Sequence, residues 1–155
     1  MDDLIFIPGN IPSLKNSKVL GRYPSKTVIR WLRLFGIQSY NSKTKTVKEF
    51  KRIPKEYSFL EICKPIKSKT NYPLLVEFHF IRGTKHKWDF HNACQIVFDL
   101  MVAYDIIPDD SVDYVLPFPL KIKDKFWDFS KENPGVLIKV KQMYKLKNKS
   151  YGKNN

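Results

Sequence analysis

The chain has 155 residues, with 28 Lys and Arg against 15 Asp and Glu, for a formal charge of +13. With 43% hydrophobic and 14% aromatic residues it can build a core for one domain, which excludes a disordered basic tail protein. No run approaches the ~20 apolar residues of a membrane span, and the start Met1-Asp2-Asp3 lacks the pattern of a secretory signal, so neither a membrane nor an exported protein is expected.

In chain order, Leu4-Ile5-Phe6-Ile7 predicts a short strand closed by a turn at Pro8-Gly9. A basic loop follows through Lys15, Asn16, Ser17 and Lys18. Ser25 then stands as the cap of a helix carrying Val28, Ile29, Trp31, Leu32 and Phe35, with Gly36 as its stop and Arg30 and Arg33 on its other face. Residues 40–52 are rich in Lys, Thr and Ser and predict a short helix near 46–51, whereas residues 57–70 match no clear pattern. Residues 74–81 alternate Val76, Phe78 and Phe80 with Glu77 and His79, the period of a half-buried strand. A basic turn, 82–87, leads into a helix over 89–104 with Ala93, Ile96, Val97, Leu100 and Tyr104 as its apolar stripe. Pro108 breaks that pattern. Residues 112–116 and 135–143 predict two further strands. The expected architecture is α+β, a two-layer arrangement with a small mixed sheet and helices on one side. One domain over 1–144 and a basic polar tail, 145–155, expected to be disordered, complete the reading. Cys63 and Cys94 have no metal-like spacing and are expected as free thiols in a reducing cytoplasm.

The charge is divided. Residues 88–120 contain no Lys or Arg but six Asp, a window of −6 in a chain whose other residues sum to +19. A basic body is the electrostatic footprint of a protein that sits on nucleic acid. An acidic island within it would repel phosphate unless a divalent cation lay between, which points to a metal-dependent nuclease. On a helix, Asn92, Gln95 and Asp99 share one face, with Asp89 at its edge, and the following turn delivers Asp109 and Asp110. A return of that turn toward the helix would gather carboxylates from separate elements around one point. Oxygen donors of that kind suit Mg²⁺ or Mn²⁺. The plainer alternative makes Asp89 a helix cap and Asp109-Asp110 a turn.

The run Lys85-His86-Lys87-Trp88-Asp89-Phe90-His91-Asn92-Ala93-Cys94-Gln95, then Asp99 and Ile106-Ile107-Pro108-Asp109-Asp110, resembles the RusA family of Holliday-junction resolvases. That family shows basic residues, Asp-x-Asp-Asn-x-x-Lys, a further helix Asp and an Asp-Asp pair. Residues 74–115 carry the resemblance best, with weaker likeness at 7–17 and 134–136. It implies a RusA-like fold, a homodimer, and a structure-selective endonuclease that cuts four-way junctions or other branched DNA with Mg²⁺ or Mn²⁺. The setting it implies is recombination, repair or phage DNA processing, in the bacterial cytoplasm and from a phage or prophage gene. It assigns catalysis to Asp89, Asp110 and Asn92, and metal binding to Asp89, Asp99, Asp109 and Asp110; Gln95 and His91, which depart from the motif, are candidates for catalysis and metal binding on their own chemistry. His91 stands where the family has its second Asp, and Gln95 where it has its Lys. A His ligates Mn²⁺ more readily than Mg²⁺. A Gln orients water or phosphate without positive charge, which Lys85 or Lys87 would then bring.

Lys15, Lys18, Arg30, Arg33, Lys85 and Lys87 are the candidate phosphate contacts, joined by the basic residues of 43–52. Trp31, Tyr40, Trp88 and Trp127 are candidates for stacking on exposed bases, or else for the core or a dimer contact. Phe118, Phe126, Trp127 and Phe129 form a candidate interface. The second functional reading is a family member that binds branched DNA without cutting it.

Overall fold

The computed structural model describes residues 4–13, 26–41, 43–50 and 53–142. Lys15, Lys18, the Ser25 cap and the tail 145–155 therefore lie outside the described residues. The fold is α+β, with three helices and a mixed sheet. In chain order the elements are β1 (Ile5–Pro8), α1 (Lys26–Arg33), β2 (Ile37–Asn41), β3 (Thr46–Glu49) and a short 3₁₀ turn (Lys55–Tyr57), then α2 (Phe59–Lys67) and β4 (Leu74–Arg82). After these come α3 (Phe90–Ala103), β5 (Val115–Pro119), β6 (Trp127–Phe129) and β7 (Gly135–Gln142).

The main sheet runs β1-β7-β4-β5, and β6 pairs with the far half of β4. Strand β7 is antiparallel to both β1 and β4, whereas β5 and β6 are parallel to β4. A parallel pair needs a long crossover, and α3 is the crossover from β4 to β5. On one face of β4, Leu74, Val76, Phe78 and Phe80 are fully buried, each contributing about 1.5–3 kcal/mol by leaving water. Phe78 packs edge-on against Phe98 and Phe90 of α3, at 5.4 and 6.4 Å between ring centres. A second aromatic chain, Trp31–Phe35–Phe59–Tyr104, ties α1 and α2 to the C-terminal end of α3.

Several local expectations hold for identifiable reasons. Gly36 adopts φ 70 and closes α1, its N–H donating to the Arg33 carbonyl at 3.1 Å. Gly9 turns the chain at φ 100 against Trp31 and Leu34, where a Cβ would collide with both side chains.

Other expectations are corrected. Residues 46–51 are not helical: Thr46–Glu49 pairs antiparallel with Ile37–Asn41 as a hairpin. Asn41 Oδ1 accepts from the N–H groups of Lys43 (2.9 Å) and Thr44 (3.2 Å), and Lys45 takes φ 52, so the polar run forms a turn instead. The strand expected at 112–116 begins three residues later, because Tyr114 and Val115 both donate to the Ser111 carbonyl in a turn. The unassigned stretch 57–70 holds α2, started by the Ser58 hydroxyl, which accepts from the Glu61 N–H at 3.1 Å.

Candidate carboxylate site

Helix α3 sets the geometry of the site. It begins at Asp89, whose Oδ1 accepts from the Asn92 N–H at 3.0 Å, so this carboxylate is the N-cap. One and a half turns on, Gln95 points its amide at two carboxylates. Its Nε2 donates to Asp99 Oδ1 at 2.9 Å, one helical turn along, and to Asp110 Oδ2 in the turn after the helix. The two N–H bonds of one amide thus join an acid on α3 to an acid 15 residues away in sequence from Gln95. Asp99 is only 9% exposed, a position a carboxylate tolerates only with donors around it.

The second donor comes from the β2–β3 hairpin. Lys45 Nζ stands 3.2 Å from Asp109 Oδ1 and 3.5 Å from Asp110 Oδ1. The bond from Lys45 holds the Asp109 carboxyl below the ordinary range, helped by the Asp110 N–H and the Ser111 hydroxyl. The same bond pushes the Lys45 ammonium up. Tyr40, on β2, is half-buried, and its hydroxyl is pushed up first by burial and then by the negative charges of Asp99 and Asp110. Tyr104 anchors the hairpin to the end of α3 by donating to Glu49 Oε1 at 2.8 Å.

The structure thus brings together Asp99, Asp109, Asp110 and Gln95 and adds Lys45 and Tyr40. It does not gather Asp89 to the same point. Asp89 precedes Asp99 by ten residues, about 15 Å of helix axis, so these two do not share one ion. His91 is exposed on the first turn of α3, with its ring against Phe90 at 5.6 Å. Lys85 does not supply the missing cation either, because its Nζ lies 4.9 Å over the Phe129 ring. Arg30, Arg33 and Lys87 are exposed. Trp31 is buried at 2% exposure and is core rather than a stacking surface.

Lys45 and Tyr40 are the participants that residue spacing does not reveal, since a 64-residue separation joins Lys45 to Asp109. The asparagine-led turn at 41–45 is the one local signal for a hairpin there.

The donor set is all oxygen apart from the lysine. Among the described residues no group of three or more His, Cys, Asp or Glu side chains could hold a metal ion. Mg²⁺ does not need such a cage: one or two carboxylates suffice when water and substrate phosphates complete its shell. Asp99 and Asp110, held side by side by Gln95, fit that requirement. Comparison with protein-family models, with characterised proteins and with solved structures gives no match for this chain.

Proposed function

We propose that this chain is a divalent-metal-dependent endonuclease that cuts phosphodiesters in branched DNA, has a RusA-like fold and works as a homodimer. The observation that carries the reading is the convergence of Asp99, Asp109 and Asp110 on Gln95 and Lys45 in a chain of net charge +13. Acidic residues kept together within a basic polypeptide are arranged for a cation that faces phosphate.

In this reading Asp99 and Asp110 hold Mg²⁺ or Mn²⁺, and Gln95 fixes their spacing. When bound, the ion supplies Lewis acidity toward the phosphate and lowers the pKa of water. Lys45 neutralises charge beside Asp109 and is within reach of an incoming phosphate. Tyr40 stays protonated and donates a hydrogen bond. Asn92 keeps the role that the resemblance gives it, whereas Asp89 and His91, at the helix start, stand apart from the ion held by Asp99 and Asp110. Lys87, Arg30 and Arg33 contact the backbone of the duplex. The resemblance also carries the setting of recombination or phage DNA processing.

A second reading, binding of branched DNA without cleavage, is favoured by one observation: the cation nearest the carboxylates already pairs with two of them. One assay separates the readings. A labelled four-way junction is incubated with the protein in Mg²⁺, in Mn²⁺ and in chelator. Nicked product only with metal is expected; binding without product in every condition would leave the second reading in its place.

A further inference from the structure

We propose that strand β6 and the turn before α3 form a stacking platform for unpaired bases, beside the carboxylate site and separate from it. The proposal rests on the chain's being a nucleic-acid-binding protein, but not on its cutting DNA. Strand β6 pairs in parallel with β4, Trp127 opposite Phe80 and Phe129 opposite Arg82. The side chains of Trp127 and Phe129 therefore project on the same face of an edge strand, about 7 Å apart. Both are 42% exposed, although their register partners Phe80 and Arg82 are buried.

The Trp127 ring is nevertheless held. It packs edge-on against Trp88 at 5.8 Å, and Trp88 packs in turn against Phe80 at 5.4 Å. The Arg82 guanidinium lies 5.1 Å from the Trp88 ring centre, behind this layer. A fixed, exposed indole gives a base a surface with little ordering cost left to overcome. Lys85 stands 4.9 Å over Phe129, and Lys121 stands 5.7 Å over Phe126, itself 53% exposed. Exposed rings alternating with ammonium groups meet both needs of a single strand, a π face for the base and a cation for the phosphate.

Charge selects this occupant over a second copy of the chain. Lys85 and Lys121 stand over the rings, and Lys87, Lys123, Lys125 and Lys131 are exposed in the same stretches of chain, against Asp124, Asp128 and Glu132, of which Asp124 and Asp128 pair with Lys121 and Lys125. A self-complementary face would set that excess of lysines against itself, whereas a polyanion matches it. Trp88 lies immediately before the Asp89 N-cap, and Gln95 lies in the second turn of the same helix. The platform therefore adjoins the start of the helix that carries the carboxylates.

The test uses the full chain in chelator, with a fluorescein-labelled oligothymidylate and a blunt duplex of equal length, read by fluorescence anisotropy at one salt concentration. Trp127→Ala is expected to weaken oligothymidylate binding about tenfold, the effect of losing one base stack, and to leave duplex binding unchanged. Trp127→Phe is expected to restore most of the loss. Equal losses on both probes, or no loss on either, would overturn the platform. So would dissociation of a dimer by Trp127→Ala in sedimentation, which would assign the face to a second copy. Junction cleavage in Mg²⁺ that persists while Trp127→Ala changes neither probe removes the platform alone. Absence of cleavage with the oligothymidylate effect intact removes the nuclease reading alone.

Discussion

The body of α3 and the turn that leads into it handle exposure in opposite ways. Around Gln95, charged groups are drawn inward and tied to one another, Asp99 at 9% exposure and Asp110 through the shared amide. Around Trp88, apolar rings are left outward, with Trp127 and Phe129 open to solvent and lysines above them. A buried carboxylate without donors is too costly to persist, so the first region had to be built from mutual hydrogen bonds. An exposed ring costs far less, so the second region needs no partners and keeps its surface available. The acidic region is thus tied together by its own hydrogen bonds, and the aromatic region keeps its ring surface open to solvent.

The largest effect expected is on chemistry in the acidic region. Asp110→Asn keeps an oxygen that accepts from Gln95 while removing one charge. Cleavage of a four-way junction should fall about a thousandfold or more, the several kcal/mol that a Lewis-acid metal contributes. Junction binding in chelator should hold or tighten, because a charge facing phosphate is gone. Binding and cleavage lost together would move Asp110 from the chemistry to the DNA contact. Next in size is Gln95→Ala, which removes a donor from two carboxylates at once and should cost about 1–3 kcal/mol in urea denaturation. An unchanged midpoint would show that the two regions differ less than their geometry implies.

How much of this was legible in the sequence follows from the range of each interaction. Residues 89–104 read clearly as a helix because fourteen residues of periodic pattern lie within one element, and the Gln95–Asp99 face followed from it. The central strand read clearly for the same reason. Strand β6 has three residues and takes its conformation from β4, so no local period could announce it. Thr46–Glu49 carried Lys48 and Glu49, residues compatible with a helix, but the Asn41 turn and pairing with β2 decided for a strand. Ser58 and Glu61 were a readable helix start, obscured by the lysines and by Pro65 in the last turn of α2. Lys45 was visible only as one basic residue among many, since its place beside Asp109 depends on how the hairpin docks.

At the start of α3, Asp89 is the N-cap, a duty that substitution can separate from any part its charge plays in the proposed cleavage. Asp89→Ala removes the N-cap acceptor for Asn92 and should cost about 1 kcal/mol of stability. Asp89→Asn keeps a capping oxygen and should melt like the wild type and, because Asp89 stands apart from Asp99 and Asp110, should keep most junction cleavage. Thermal denaturation and the nicking assay on the same two variants read the duties independently. Loss of cleavage by Asp89→Asn with an unchanged melting temperature would bring the Asp89 charge into the chemistry.

The smallest effect on stability, and the sharpest on the comparison, belongs to Lys45. Its side chain is 37% exposed and pairs with an Asp109 side chain that is 42% exposed, so removing it should barely change the melting temperature at neutral pH. The acid limb should move, with a definite sign. Lys45 holds the Asp109 carboxyl below its ordinary value, so the pair stabilises the fold above about pH 4. That contribution disappears as pH falls through the lowered folded value. Lys45→Met should therefore bring acid unfolding to a slightly higher pH. It should also tighten Mn²⁺ binding several-fold in a paramagnetic titration, because the competing cation is gone, while oligothymidylate binding in the β6 region stays as it was. A variant that left Mn²⁺ affinity untouched would place Lys45 outside the cation's reach and make its pairing with Asp109 a hairpin anchor like the Tyr104–Glu49 bond.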